Sequence, residues 1–223
     1  MPERAPIRTA ACVALLTAGL LLTGCATETD PSGPSAPASG AKSPAAASAG
    51  SSGAGKEVAA PAGTLGGAGT ACALPFSFSL AADWKPKAID APEDPEFAAL
   101  TRQGPATMRC EVDAKPAGHI GFLRVWTAPE GTARATLEAF VKAEKGSRKA
   151  VYAEAKAGLL PAVQAVYEVH SELTGETKTE RAFAVETADN AVVIVHLGGL
   201  DSEEHRAMLP AYELARSTLK ASS

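Results

Sequence analysis

Two rhythms of apolar and polar positions run through residues 71–223 of this 223-residue chain. The first has period two, which marks strands with one buried face. Phe76, Phe78 and Leu80 alternate with Ser77 and Ser79 and lead to Trp84, while Met108, Cys110 and Val112 alternate with Arg109, Glu111 and Asp113. Ile120–Thr127 is apolar at both parities and so predicts a central strand. Val163, Ala165, Tyr167 and Val169 mark a fourth strand, entered after Pro161. Arg181–Glu186 and Ala191–Leu197 predict the arms of a hairpin around Ala188-Asp189-Asn190, residues suited to unusual turn angles. Val151–Lys156 adds a short edge strand.

The second rhythm is helical. From Ala133 to Lys145, Leu137, Phe140, Val141 and Glu144 follow the i, i+3, i+4, i+7 spacing, with Thr132 placed as N-cap and Gly146 as terminator. Near the C-terminus Asp201 and Glu204 resemble a capping box, and Met208, Tyr212, Ala215 and Leu219 share one face. Pro210 interrupts that stretch, so either a short turn ends before Leu209 or the helix is kinked. Strands in meander order, one helix after the third strand and another at the end predict an α+β domain. Its expected form is an antiparallel sheet of about six strands with helices packed on its faces.

The N-terminal residues follow neither rhythm. Arg4 and Arg8 precede an apolar stretch, Ala10–Leu22, which as a helix spans roughly 20 Å against the ~30 Å of a bilayer core. This fits the apolar region of a signal peptide over residues 1–24. Leu22-Thr23-Gly24-Cys25 resembles the lipobox of bacterial prolipoproteins. The resemblance implies that the thiol of Cys25 receives lipid and that the chain is cut before it; two acyl chains then anchor the protein stably. Residues 25–70 are dominated by Ala, Ser, Gly and Pro, without an aromatic residue. That composition predicts a disordered tether with an r.m.s. reach of about 35–40 Å, followed by a single domain over residues 71–223.

The order Phe76-Ser77-Phe78-Ser79-Leu80, the helix near Leu137–Glu144, the strand Tyr167-Glu168-Val169, the long hairpin and the closing Ala215-Arg216-Ser217-Thr218-Leu219 are similar to the Mog1/PsbP-like fold. Within it, the chain resembles the LpqN/LpqT-type lipoproteins of actinobacteria. The resemblance implies an accessory or binding protein without enzymatic activity, and it transfers no site residues.

Net charge is −4 with no basic stripe and few aromatics, which argues against nucleic-acid binding. Cys12 leaves with the signal peptide and Cys25 takes lipid, so Cys72 and Cys110 remain. Outside the cytoplasm a disulfide between them is expected over two separate buried thiols, closing a loop worth roughly 3–4 kcal/mol. Their spacing does not suit zinc, and His119, His170, His196 and His205 fall in no metal-ligand pattern. No metal or cofactor is expected. By strand parity His170 and His196 face outward. The acidic groups Glu93, Asp94, Glu96 and Glu203, Glu204 read as surface or helix-start charges. Trp84 and Trp126 read as core, with a ligand platform as the alternative.

These readings converge on a non-enzymatic binding or accessory module held at the outer face of the cell membrane. Its partner is expected to be an envelope protein or a small molecule. The rivals are an envelope hydrolase using dispersed residues such as His119 and Asp113, and a carrier of a small apolar ligand. A bare sheet face favours the module, a deep pocket with convergent titratable groups the hydrolase, and an apolar tunnel the carrier.

Overall fold

The computed structural model describes residues 57–90 and 94–221. The leader, Cys12, Cys25, the tether up to residue 56 and Glu93 lie outside the described residues. In chain order the elements are β1 (Pro61–Leu65), β2 (Phe76–Ala81), β3 (Lys85–Ala88), α1 (Pro95–Leu100), β4 (Arg102–Gln103), β5 (Ala106–Asp113) and β6 (Gly121–Ala128). They continue with α2 (Ala133–Ala143), β7 (Ser147–Ala157), β8 (Leu160–His170), β9 (Thr177–Glu186), β10 (Val192–Gly199), α3 (Ser202–Thr218) and β11 (Lys220–Ala221). An antiparallel sheet of eight strands runs β3-β5-β6-β10-β9-β8-β7, with β4 added on β5; a second sheet runs β1-β2-β11. No helix among the described residues is long and apolar enough to cross a membrane.

The α+β class is as expected, but the large sheet has more than six strands, and β2 lies in the smaller sheet. A second difference is β1, which falls inside the segment read as tether. Pro61–Leu65 pairs with β2, and Leu65 is fully buried. Pairing draws on backbone groups that every residue but proline carries in full, so a composition poor in large side chains does not exclude it. Gly66 closes the strand at φ 82°, where a Cβ would come within 1.7 Å of the Phe76 carbonyl oxygen.

Both faces of the large sheet are covered. On one side α3 and β2 enclose Leu123, Val125, Phe183, Val193, Val195, Leu197 and Tyr212. On the other, α2 covers Trp126, Tyr167, Ala182, Val192 and Ile194 with Leu137, Phe140 and Val141. The bare sheet face expected of a binding module is therefore absent from this unit.

The strand expected to carry Met108, Cys110 and Val112 on one face carries a bulge instead. Met108 stands opposite Trp126, the register then slips, and Cys110 stands opposite Val125. The extra residue reverses parity, so Met108 packs on the α2 side while Cys110 and Val112 enter the α3 side. There Cys110 is disulfide-bonded to Cys72, with Cα atoms 6.0 Å apart.

Helix starts are fixed by side chains. Thr132 accepts from the Ala135 N–H at 3.2 Å, and Glu186 accepts from the Ala133 N–H at 2.7 Å. Asp201 accepts from the N–H groups of Glu203 and Glu204, both at 2.8 Å. Helix α3 then runs through Pro210 as one element, and the Pro210 carbonyl takes the Ala59 N–H at 3.0 Å. Between β9 and β10, Asn190 adopts φ 59° and its N–H bonds the Thr187 carbonyl at 3.1 Å.

Candidate functional site

On the α2 face a row of ionisable side chains crosses the sheet. Arg124 on β6 stands opposite Glu111 on β5 and opposite His196 on β10; Glu180 on β9 stands opposite Tyr167 on β8. Arg124 Nε donates to Glu111 Oε2 at 2.8 Å. Glu180 is 3 % exposed and sits between Lys178 and His196: Lys178 Nζ lies 2.8 Å from Oε1 and His196 Nε2 lies 2.7 Å from Oε2. Lys178 also donates to the Gly199 carbonyl at 3.1 Å. The Tyr167 hydroxyl lies 3.1 Å from His196 Nε2 and donates to Glu180 Oε2 at 3.4 Å.

Burial by itself raises the Glu180 carboxyl, but His196 and Lys178 outweigh it and hold the group at about 2. Glu180 is thus a carboxylate that can only accept, so the hydrogen on His196 Nε2 points at it. That leaves Nδ1, which is buried and has no hydrogen-bond partner. Burial also pushes the Tyr167 hydroxyl well above its usual value, with Glu180 adding to the effect.

A pocket of about 300 Å³ opens over this row, roofed by the end of α1, by β4 and by the end of α2. Arg102 and Gln103 come from β4, Glu144 from the end of α2, and Arg124, Trp126 and His196 from the sheet. Gln103 Nε2 donates to Glu144 Oε2 at 2.7 Å and to the Phe140 carbonyl at 3.2 Å. This contact needs Gly104, whose φ is 56° and whose Cβ, if present, would lie 2.8 Å from the Ala139 carbonyl oxygen. The Glu144 carboxyl is raised by burial and by the charge of Glu180, against the pull of His196 and Gln103. Trp126 packs edge-on against Phe140 at 5.3 Å, and its buried indole Nε1 has no partner. Two larger hollows, of about 560 Å³ beside the start of α3 and about 380 Å³ beside the start of α2, are lined by no such orphaned buried atom.

The structure places the expected site residues as follows. Cys72 and Cys110 are joined; Cys25 lies outside the described residues. His119 Nδ1 lies 3.4 Å from Glu204, and Asp113 accepts from the Lys115 N–H at 2.9 Å, so each has its own partner and the two form no dyad. His170 sits at the surface with Thr177 Oγ1 at 3.1 Å. His205 is 1 % exposed; burial, with Arg181 adding to it, holds it down to about 4. Among the described residues no group of three His, Cys, Asp or Glu side chains is set to hold a metal ion.

His196 overturns the parity reading: it is 3 % exposed, not outward-facing. A residue that alternates with core residues meets solvent only where the second face is bare, and here α2 covers that face. The signal was present in the sequence. Val192-Val193-Ile194-Val195 is apolar at both parities, as Ile120–Thr127 is, so neither face of that strand had water to offer. Both tryptophans are core residues, and Trp126 also lines the pocket.

The site is thus a small polar pocket set on a paired charge row in an α+β domain with two covered sheet faces. A family model of uncharacterised lipoproteins matches residues 41–219, and the chain belongs to that family. Membership implies attachment to a membrane. Among solved structures the chain is similar to cyanobacterial PsbP from Synechocystis sp. PCC 6803, at 13% identity over 70% of this chain and 96% of that one, with a TM-score of 0.47. It is also similar to LpqN of Mycobacterium tuberculosis, a protein involved in cell envelope biogenesis, at 14% identity over 72% and 90% of the two chains, with a TM-score of 0.41. No curated protein matches the chain.

Proposed function

We propose that the protein is a non-enzymatic binding module, anchored by lipid on Cys25 at the extracytoplasmic face of the membrane, and that the α2-face pocket holds its ligand. One observation carries the binding reading. Trp126 Nε1 and His196 Nδ1 are buried ring nitrogens without partners, and both residues line one pocket. Such groups cost roughly 1–3 kcal/mol each if left unmet, and on this reading the bound ligand meets them.

The hydrolase reading draws support from the convergence of Glu144, Glu180 and His196 in that pocket. Against it, no Ser, Thr or Cys lines the pocket, Glu180 is held as an ionised acceptor, and His196 Nε2 is committed to it. The polar lining also disfavours the apolar carrier.

The test is to extract the lipid-bearing protein from its own membranes and identify small molecules released on denaturation. A released compound is expected, several-fold depleted in Trp126→Phe and unchanged in Trp84→Phe. Absence of any compound that follows Trp126 overturns the binding reading, and conversion of the compound on incubation overturns its non-enzymatic part. In the same preparation Cys25→Ala is expected to leave the membrane fraction; retention to the wild-type degree overturns the anchor.

A further inference from the structure

We infer that the ligand of the α2-face pocket is a free amino acid with an apolar side chain, held by Arg102 at its carboxylate and by Glu144 at its ammonium. This rests on the binding reading above and adds the ligand's chemistry.

The charges around the pocket balance. Arg102, Arg124 and Lys178 line it together with Glu144 and Glu180, and Glu111 pairs with Arg124, so three cations meet three carboxylates. Two of each are already matched. Arg124 Nε donates to Glu111, and Lys178 lies 2.8 Å from Glu180, whose other oxygen is taken by His196. One cation and one carboxylate remain. The Arg102 guanidinium is exposed and has no hydrogen-bond or ion-pair partner among the described residues. Glu144 is half-buried, and the side chain that bonds it, Gln103, is neutral and occupies only Oε2. Burial, with the charge of Glu180 adding to it, holds the Glu144 carboxyl above its usual value.

The two leftover groups line one hollow without pairing to each other. A molecule that carries both an anion and a cation satisfies both at once and leaves the balance of charge unchanged. A guanidinium meets a carboxylate in a two-point fork, and an ammonium beside the open Glu144 Oε1 offsets the burial of that charge. A ligand with a single charge serves one group and leaves the row unbalanced, and a neutral sugar leaves both charges unmatched. Leu100, Met108 and Trp126 also line the hollow and suit an apolar side chain. The head of a phospholipid, another common zwitterion, has no such group. The volume of about 300 Å³ holds one amino acid and no chain of several residues.

The chain has two tryptophans, Trp84 in the α3-side core and Trp126 in the pocket, which gives the test an internal control. The indole N–H signals of the mature lipidated protein in detergent micelles are followed by nitrogen-15 NMR during titration with four probes. They are leucine, leucinamide without the carboxylate, N-acetylleucine without the ammonium, and glycerophosphoethanolamine as the lipid head. Leucine is expected to move the Trp126 signal saturably, to leave Trp84 in place, and to bind at least about tenfold tighter than the other three. Arg102→Gln, at an exposed position, is expected to weaken leucine about tenfold without weakening leucinamide. Glu144→Gln is expected to weaken leucine to a similar degree without weakening N-acetylleucine. Leucine that leaves the Trp126 signal in place, or binds no tighter than any one of the other probes, overturns the ligand class. So does an Arg102→Gln protein that binds leucine equally well. The binding reading fails separately, when no molecule extracted with the protein depends on Trp126.

Discussion

The two faces of the eight-stranded sheet come from the same strands and both are covered, yet they are lined differently. The α3 side is mainly apolar, closed by β2 and stitched by Cys72–Cys110, with His205 and the Glu213–Arg216 pair buried along the helix. The α2 side holds an apolar half under Leu137, Phe140 and Val141, and beside it the charged row from Glu111 to Tyr167. A buried charge costs free energy unless it is paired, so a row of this kind is no economical route to stability. On the proposed reading the α3 face serves mainly the fold, whereas the polar groups of the α2 face serve the ligand.

The comparison breaks most sharply at Glu180. Glu180→Ala leaves the buried His196 and the half-buried Lys178 without their carboxylate, and a urea-denaturation loss of about 3 kcal/mol is expected. A loss below about 1 kcal/mol means that water reaches the row freely. On the opposite face, Cys72→Ser with Cys110→Ser is expected to cost about 3–4 kcal/mol by the same measurement and to leave ligand binding at Trp126 intact. Loss of binding at constant fold would tie the two faces together and undo the division.

Acid sharpens the comparison further. His205, at the start of α3, is held at about 4, below the ~6.5 of an unfolded histidine. The unfolded chain therefore takes the proton first as pH falls, and stability declines between about pH 6.5 and 4 by up to about 3 kcal/mol. Glu180, held at about 2, adds a second decline from about pH 4.5 downward, because its charge must be given up. Thermal melts across this range should show both steps, and His205→Leu should flatten only the upper one. The smallest expected effect is at Gly104→Ala, about 1–3 kcal/mol from a positive φ and a Cβ against the Ala139 carbonyl. Its ligand affinity should fall with stability, because Gln103 loses its seat on α2.

Much of this architecture is legible in the sequence, and the failures share a cause. Thr132, Asp201 and the Asn190 turn act as their chemistry predicts, since each needs only its immediate neighbours. β1 and the bulge at Met108/Cys110 are set by partners distant in the chain, so local rhythm does not register them. The pocket needs more still. Arg102 and Gln103, Trp126, Glu144, and Glu180 with His196 lie on separate elements, brought together by strand order and by the approach of β4 to α2. A single histidine misplaced by parity was enough to hide it.

The most direct measurement is a crystal structure at high resolution of the protein extracted from its own membranes. The account predicts an ordered non-protein molecule in the α2-face pocket, in contact with Trp126 and His196, and an α3 side without foreign density. A pocket closed by its own side chains, with the Trp126 indole bonded to protein, would contradict it.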